Sequence, residues 1–277
     1  MACLSLVEDN GTGKRTVPEQ LIGCWKRHSI ALQDGTVDLT TRVIWLQTAS
    51  GVADMRISAD RPDLRHRSGL ADLSRDELLA LAGQDCFCMT TLFDATTTPY
   101  PAAIWPISRD LFRFQPVVNF PEPGWLEWRD NGSVMIEYAP SGAYVEDWRL
   151  LEMNPAFAIH LVRIVDGVTE CLYVTGNHAV RARGRKHPIA QKLPLVEVVH
   201  GLGDDLKTIR EMLDCEFSYA VRHAGSGAYV IELSTLPWLE GQSLDLGWIS
   251  AIAPGQATAR DADGHIWNVE TLWRRDQ

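Results

Sequence analysis

Short apolar runs alternate with turn residues along most of the chain, which is the pattern of antiparallel β-sheet. The runs TRVIWLQT (41–48), FAIHLVRIV (157–165), ECLYVT (170–175) and AYVIEL (228–233) are rich in β-branched and aromatic residues. Gly, Pro, Asp or Asn residues bound these runs, as is typical of strands that end in tight turns. The pattern therefore predicts a protein made mostly of β-strands.

Two segments have the three- and four-residue spacing of apolar positions that indicates an α-helix. In LSRDELLALAG, Ser74 is placed to cap the helix, Glu77 completes a capping box and Gly83 ends the helix. In GDDLKTIREMLD (203–214), acidic residues occupy the first turn and the apolar residues recur with helical spacing. Only these two segments predict helices.

The order of these signals in the first half of the chain returns in the second half. Each predicted helix runs into an Asp-Cys pair and then a strand, at Asp85 and again at Asp214. Near the end of each half, a Gly-Trp pair is followed by a second glycine seven residues after the Trp, and the segment closes on Trp-Arg. Weak matches that keep the same order indicate an internal duplication.

The duplication predicts two β-barrel domains after a short N-terminal arm. We place the arm at 1–19, the first barrel at 20–150 and the second barrel at 151–277, with the turn signal Asn154-Pro155 near the boundary. Each half then has about seven or eight antiparallel strands and one short α-helix. Eight strands can close around an interior that holds side chains or one small ligand.

Composition narrows the class of partner. The net charge of -10 over 277 residues argues against nucleic acid and anionic membranes, because both attract clustered Lys and Arg. No apolar run approaches the roughly 18 residues of a membrane-spanning helix, and the N-terminus lacks a secretory signal pattern. The six cysteines lie in apolar or strand-like surroundings, as reduced core thiols do. We expect a cytoplasmic protein.

The first strand opens on a short motif. Gly23-x-Trp25, followed by Lys26-Arg27, resembles the G-x-W opening of lipocalins and other calycins, in which the Trp packs across the closed end of the barrel, often under an Arg. The tandem layout resembles two-barrel, lipocalin-like cytosolic proteins of fungi and bacteria and, more loosely, the two-barrel carotenoid hydratases. The resemblance implies two tandem lipocalin-like barrels and a cup for a hydrophobic small molecule.

The sequence contains no motif for a cofactor or a metal. Glycine loops that cradle phosphates, a G-x-S-x-G nucleophile elbow and an H-E-x-x-H pair are all absent. The eight histidines are scattered singly, without ligand spacing on one element. We therefore expect no cofactor and no metal, so that an enzyme of this kind would use acid–base chemistry in a partly dry pocket.

The first half has the richest set of candidate binding residues. Trp45 and Gln47 share one face of their strand, where a ring beside an amide suits an aromatic or carbonyl ligand; the alternative is a core Trp with Gln at the strand end. Arg56 either clamps a carboxylate or phenolate or pairs with Asp54 on its own face. The substrate-binding candidates are Trp45, Gln47, Arg56, Tyr138 and Trp148.

Candidate acid–base residues lie on the last two strands of the first half. Tyr144 and Glu146 share a face, and Glu137 precedes them in VMIEY. An inward Glu beside Tyr and Trp would be desolvated, and its raised pKa would suit a general acid or base. The alternative is that both glutamates face solvent. The catalytic candidates are Glu137, Glu146, Tyr144 and His28, the last as a partner from the first strand.

The second half offers its own polar candidates, which are His160, Tyr173, His178 and Arg181. Where the first half has Glu137-Tyr138, the second reads QATARDAD (256–263), a small polar strand. Duplicated barrels often keep one functional cup while the other becomes scaffold. The concentration of Trp, Gln, Arg and Glu therefore favours a site in the first barrel.

Two functions from different classes fit these residues. The first is a cofactor-independent lyase, hydratase or isomerase acting on a hydrophobic, aromatic small molecule, for which a plant- or lignin-derived compound is one candidate. The second is an intracellular lipocalin-like carrier or sensor, in which the same side chains only grip a ligand. The expected partner in both is a hydrophobic small molecule, with no nucleic acid and no membrane, and a homodimer is left open.

Overall fold

The computed structural model describes residues 16–119 and 121–275, so that most of the predicted N-terminal arm lies outside the described residues. The described chain is mostly β, with two curled antiparallel sheets that form half-barrels and three α-helices. This architecture of two tandem barrel-like units confirms the predicted fold class.

The first sheet draws all its strands from the part of the chain before Leu151. Its strands are β1 (Gly23–Leu32), β2 (Val37–Asp38), β3 (Arg42–Gln47), β4 (Gly51–Ile57), β5 (Asp85–Thr90), β6 (Leu92–Asp94), β7 (Ala102–Ile104), β8 (Asp110–Arg113), β9 (Gly124–Arg129), β10 (Val134–Tyr138) and β11 (Tyr144–Leu150). They are ordered β6-β7-β9-β10-β11-β1-β3-β4-β5-β8, and β2 pairs with β1.

The second sheet uses the rest of the chain. Its strands are β12 (Phe157–Val165), β13 (Val168–Thr175), β14 (His178–Arg183), β15 (Glu216–Arg222), β16 (Tyr229–Ser234), β17 (Ser243–Leu244), β18 (Thr258–Arg260) and β19 (Ile266–Arg274). They are ordered β17-β16-β15-β14-β13-β12-β19-β18.

Six neighbouring strands have the same connectivity in both sheets. The series β5-β4-β3-β1-β11-β10 in the first sheet corresponds to β15-β14-β13-β12-β19-β18 in the second. In both, the first and last strands of the half lie side by side, which curls the sheet. The predicted likeness fails at one point, because Trp125 lies in β9 whereas Trp248 lies in a 3-10 turn, Gly247–Ala251.

The helices are α1 (Arg75–Ala82), α2 (Leu195–Gly201) and α3 (Leu206–Leu213). The capping box of α1 is present, with Ser74 and Glu77 each bonding the backbone amide of the other, as predicted. The prediction of one helix in each half is wrong for the second half, which has two. The sequence of α2 is rich in valine, which favours strands, but its buried Leu195, Val198 and Val199 have helical spacing.

The two sheets pack against each other through one large apolar cluster. It joins one face of β3, β4 and β5 to one face of β13, β14 and β15, with the three helices at its edge. Ile44 and Leu46 belong to this cluster, while Val43 and Trp45 point to the inner side of the first half. Strands covered on both faces read as continuous apolar runs, which explains sequences such as RVIWLQ.

Each sheet also has an inner face. The inner face of the first sheet is covered by a Trp-rich cluster that includes Trp25, Trp45 and Trp148. The inner face of the second is packed with aliphatic side chains and Trp267. The five described cysteines are buried and none forms a disulfide. No helix within 16–119 or 121–275 is long and apolar enough to cross a membrane.

Candidate functional site

A cavity of about 310 Å³ lies on the inner side of the first sheet. Strands β3, β4, β5, β10 and β11 form its floor, and the segment from β7 to β9 covers it. Its apolar lining is Trp45, Val52, Phe87, Met89, Ile104, Trp105, Pro106, Ile107, Val117, Val118, Pro121, Pro123 and Trp148. Its polar lining is Asp54, Arg56, Asp85, Arg113, Asn119, Glu122, Glu137, Tyr144 and Glu146. A cavity of this size suits a small organic ligand.

Three indole rings make up one wall of the cavity. The ring centroid of Trp45 lies 5.4 Å from that of Trp105 and 5.3 Å from that of Trp148, both in edge-to-face geometry. Gln47 fixes the orientation of Trp45, because its Oε1 accepts a hydrogen bond from Trp45 Nε1 at 3.2 Å. Edge-to-face contacts of this kind are stabilising beyond the area they bury, so they favour this arrangement of the wall.

Two glutamates face each other on the floor of the cavity. Glu137 of β10 pairs directly with Glu146 of β11, and their residues are 3% and 2% exposed. The Tyr144 hydroxyl donates a hydrogen bond to Glu137 Oε1 at 2.9 Å. A Cβ at Gly124 of β9 would overlap the Glu137 side chain, so that only glycine leaves room for this conformation.

The second glutamate of the pair is held by arginines. Arg27 of β1 donates from Nη1 to Glu146 Oε1 at 2.7 Å and from Nη2 to Asp38 at 3.0 Å. Arg56 Nη1 lies 3.8 Å from the same Glu146 oxygen, and Arg56 Nε donates to Asp54 Oδ1 at 2.8 Å. An opposite charge at these distances favours the ionised carboxylate.

The two carboxyl groups have different electrostatic environments. Burial first, and then the adjacent charge of Glu146, raise the pKa of Glu137 to about 8, against the lowering effects of the Tyr144 hydrogen bond and of Arg56. Burial and the glutamate pair likewise raise the pKa of Tyr144 above its ordinary value. At neutral pH the site therefore holds a protonated Glu137 beside Glu146, which is paired with Arg27. Paired carboxyl groups with divergent environments are typical of acid–base sites.

Two other charged groups at the wall, Asp85 and Arg56, also have shifted pKa values. Burial raises the pKa of Asp85, against the lowering effect of Arg56. Burial alone would lower the pKa of Arg56, but the charges of Asp54 and Glu146 outweigh it and hold that pKa well above its ordinary value. Arg56 is therefore a permanent cation whose charge is shared by two acids.

The structure brings together six of the predicted residues of the first half. Trp45, Arg56 and Trp148 line the cavity with Glu137, Tyr144 and Glu146. Arg56 pairs with Asp54, which is the alternative stated for it. Gln47 is buried behind the wall, where its Nε2 donates to the backbone oxygens of Thr48 and Gly51, so it positions Trp45 and does not line the cavity.

Two more predicted residues of the first half lie outside the cavity. His28 is exposed on β1 beside a register shift between Arg27 and Ser29. The expectation that it reaches the cavity from the side of Trp25 is corrected, because residues three apart on a strand face opposite sides. Tyr138 faces away from Glu137 because consecutive residues of a strand point to opposite faces, and its ring stacks on Tyr100 at 5.3 Å.

The four candidates of the second half do not gather around a common space. His160 is buried and stacks on Tyr173 at 4.2 Å, and burial lowers the pKa of His160 to about 3. His178 Nδ1 lies 2.8 Å from the Tyr219 hydroxyl, and burial lowers the pKa of His178 to about 4. Arg181 Nε lies 3.9 Å from Glu216. These residues belong to the packing of the second sheet and of the contact between the sheets.

Sequence reasoning missed several charged residues in or beside the site, among them Arg27, Asp85 and Arg113. Arg27 shares a face with Trp25, two residues earlier, so strand alternation was a usable signal. Asp85 was noted only as part of the repeated Asp-Cys pair, and Arg113 lies on β8, which pairs with β5. Their approach to the cavity depends on pairings between distant strands, which no local pattern reveals.

One group of potential metal ligands occurs among the described residues. Asp261, Asp263 and His265 place one ligand atom each within 4.8 Å of one another in the β18–β19 turn. Asp261 already accepts hydrogen bonds from Arg163 at 3.1 Å and Trp267 at 3.0 Å. Its other oxygen accepts the backbone amides of Asp263 and His265. The cluster is thus explained by the turn it stabilises.

Fold and cavity together define a class: proteins of two tandem barrel-like β-units with a Trp-lined, carboxyl-bearing cavity in the first unit. No protein-family model and no curated protein matches this chain. Among solved structures, an uncharacterized protein from Saccharomyces cerevisiae, YLR301w, is similar, with a TM-score of 0.54 and 11% identity. The similarity covers 89% of this chain and 96% of that one, so the two proteins share the fold across both halves.

Proposed function

We propose that the protein is a cofactor-independent lyase, hydratase or isomerase that acts on a hydrophobic, aromatic small molecule in a lipocalin-like cup. The observation that carries this proposal is the buried pair of Glu137 and Glu146 at the floor of a Trp-lined cavity. A carboxyl that stays protonated near neutral pH can give a proton, and an ionised carboxylate beside it can take one.

The two glutamates have separate roles in the proposed reaction. Glu137 donates the proton on its Oε2 to an oxygen or carbon atom of the substrate, while Glu146 accepts a proton from a substrate carbon or from water. One proton is given and one is taken, so the substrate is neither oxidised nor reduced. Proton return between the two carboxyls, directly or through the product, restores the starting state.

Tyr144 and Arg27 act on the substrate through the glutamates. The Tyr144 hydroxyl occupies Glu137 Oε1, which directs the proton of Glu137 to Oε2. Arg27 holds Glu146 Oε1 through a hydrogen-bonded ion pair and so fixes the position of this carboxyl group. The indole wall would bind an aromatic ring by area and edge-to-face contact, which orients the ligand above the two carboxyls.

The test begins with a thermal-shift screen against a library of uncharged and charged aromatic compounds, since a ligand of the native state raises its melting temperature. Compounds that bind are then incubated with wild-type protein and followed by NMR for conversion. We expect Glu137→Gln to bind the same compound but lower its turnover by about 10²-fold or more, the usual scale for a general acid.

Glu127→Gln is the matched control for this test. Glu127 lies on β9, next to β10, but outside the cavity, where it pairs with Arg129 and Tyr138. We expect this control and His28→Ala to keep wild-type turnover. Full turnover by Glu137→Gln, or conversion of no compound that binds, would exclude the proposed catalytic function.

A carrier or sensor of the same ligands is the second candidate. It is favoured by the extent to which Glu146 is already engaged, because Arg27 and Arg56 both approach its Oε1. In that case the carboxyl pair would orient a ligand and never exchange a proton with it. Tight binding without conversion, in wild-type protein and in the glutamate variants alike, is the result that distinguishes the carrier.

A further inference from the structure

The charged groups around the cavity contain more acids than bases. Arg27 is shared between Asp38 and Glu146, and Arg56 between Asp54 and Glu146. The charge of the third cation, Arg113, acts on Asp85, whose pKa burial raises and the arginines lower. Each cation at the wall therefore has an acidic neighbour, and an anion that entered would compete with carboxylates that are already in place.

Glu137 leaves one of its carboxyl oxygens on the floor for a ligand. Glu137 is 3% exposed, and its hydrogen bond to Tyr144 uses Oε1. No other side chain or amide of the described residues donates a hydrogen bond to Glu137, so Oε2 is without a partner on a side chain that lines the cavity. A protonated carboxyl in an apolar site serves as a hydrogen-bond donor, and its complement is an uncharged oxygen acceptor.

From this arrangement we propose that the cavity selects an uncharged aromatic ligand with a carbonyl or similar oxygen acceptor, and that it excludes the aromatic carboxylate of the same shape. The inference rests on the proposed function in so far as the cavity binds an aromatic small molecule, but it applies to catalysis and to carriage alike. It also replaces the role that the sequence suggested for Arg56, which was to clamp a carboxylate or phenolate.

Desolvation explains why the charge of the ligand decides binding. A carboxylate that leaves water for this cavity loses its hydration. Every cation it meets there is already paired with an acidic side chain. A buried charge that is not compensated is strongly disfavoured. An ammonium would meet carboxylates but could not accept the proton of Glu137. A ketone loses little hydration and accepts one hydrogen bond from Glu137 Oε2.

The ligand preference should depend on pH through Glu137. The neutral acceptor binds the protonated form, so its affinity should fall when the pH rises beyond the point at which Glu137 ionises. The charged and titratable groups that face Glu137 come from each neighbouring element of the cavity: Asp54 and Arg56 on β4, Asp85 on β5, Arg113 on β8, Glu122 before β9, and Tyr144 and Glu146 on β11.

The test uses matched probes on three skeletons: benzene, naphthalene and styrene, each as the methyl ketone, the carboxylate and the aminomethyl compound. Affinities for the full-length protein are measured by calorimetry at about pH 6 and about pH 10. On at least one skeleton, we expect the ketone to bind about tenfold or more tightly than its carboxylate and its ammonium at the lower pH. Its affinity should fall by a similar factor at the higher pH.

Glu137→Gln separates the charge of the site from its shape. The amide still donates a hydrogen bond but does not titrate, so ketone binding should persist and lose its pH dependence. Glu127→Gln is the matched control and should keep the wild-type pH profile. A carboxylate or ammonium that binds as tightly as the ketone of its skeleton, or the absence of binding by every probe, would overturn the inference.

A second readout distinguishes this inference from the proposed function. In D2O, acid–base action by the glutamates would exchange the methyl protons of a bound ketone for deuterium, which NMR detects. Ketone binding without exchange above the buffer rate supports the ligand preference and counts against catalysis. If the protein converts an aromatic carboxylate and Glu137→Gln abolishes this conversion, the catalytic proposal stands and the ligand preference is refuted.

Discussion

At the scale of single residues, Glu137 is the side chain whose environment departs furthest from what its type prefers. A carboxyl is rarely fully buried unless it is paired, and this one lies opposite another glutamate. Three neighbours make the placement feasible. Gly124 leaves space for the side chain, Tyr144 donates a hydrogen bond to it, and the positive charge of Arg56 lowers its pKa. Natural proteins accept such costs mainly at functional sites.

The raised pKa of Glu137 predicts a specific dependence of stability on pH. Between its ordinary value of 4.5 and about 8, the folded protein binds the proton of Glu137 and the unfolded chain does not. The free energy of unfolding therefore falls as the pH rises through this window. Glu137→Gln removes this loss, and its stability relative to wild type should rise by on the order of 5 kcal/mol from the bottom to the top of the window.

Urea unfolding at a series of pH values measures this difference. Glu127→Gln is again the control, because the Arg129 and Tyr138 hydrogen bonds lower the pKa of Glu127 and its titration lies below the window. A stability difference between Glu137→Gln and wild type that does not change with pH would show that Glu137 is ionised in the folded protein.

At the scale of secondary-structure elements, the contact between the sheets depends on close approach at the start of β4. A Cβ at Gly51 would lie 2.6 Å from His160 Nδ1 on β12 and 2.8 Å from Tyr173 Cε1 on β13. Both rings are buried and stacked on each other, so neither can move aside freely. The glycine is therefore required for the sheets to pack at this distance.

Gly51→Ala should destabilise the protein by about 1–3 kcal/mol, the usual cost of overpacking a buried contact. Thermal unfolding measures the effect. Gly225→Ala is the matched control, since a Cβ at Gly225 would meet no atom within 4 Å, and it should change stability little. Equal stability of the two variants would show that the sheets can separate locally without cost.

Alternation along strands predicted much of the site, while pairing between strands did not follow from the sequence. The shared face of Tyr144, Glu146 and Trp148 follows from the period of two, and so does the inward side chain of Trp45. The same rule, applied to His28, would have placed it opposite Trp25. The direct pairing of Glu137 with Glu146 depends on the register across the β10–β11 turn, which strand sequences alone do not fix.

At the scale of the whole molecule, the two halves share connectivity and differ in what fills them. Both sheets place their first and last strands side by side, and both contribute one face to the cluster between them. The inner side of the second half is packed with apolar side chains, including Ile159, Leu161 and Trp267. On the inner side of the first half, by contrast, the carboxyls of Glu137 and Glu146 lie beside a cavity.

This difference supports a division of labour between the halves. The second half stabilises the outer face of the strands β3, β4 and β5, whose inner face carries Trp45, Asp54 and Arg56. Sites supported by packed strands hold their geometry more precisely than sites on loops. The repeated order of elements was visible in the sequence through the helix, Asp-Cys and strand signals, but the unequal filling depended on contacts between distant strands.

The claim on which this account depends most directly is that Glu137 is a protonated carboxyl near neutral pH. The measurement is a 13C NMR titration of protein labelled at the glutamate side-chain carboxyl carbon, with the Glu137 signal assigned by its loss in Glu137→Gln. The account predicts that this signal titrates with a pKa of about 8. A Glu137 signal that is already that of an ionised carboxylate at about pH 6 would contradict it.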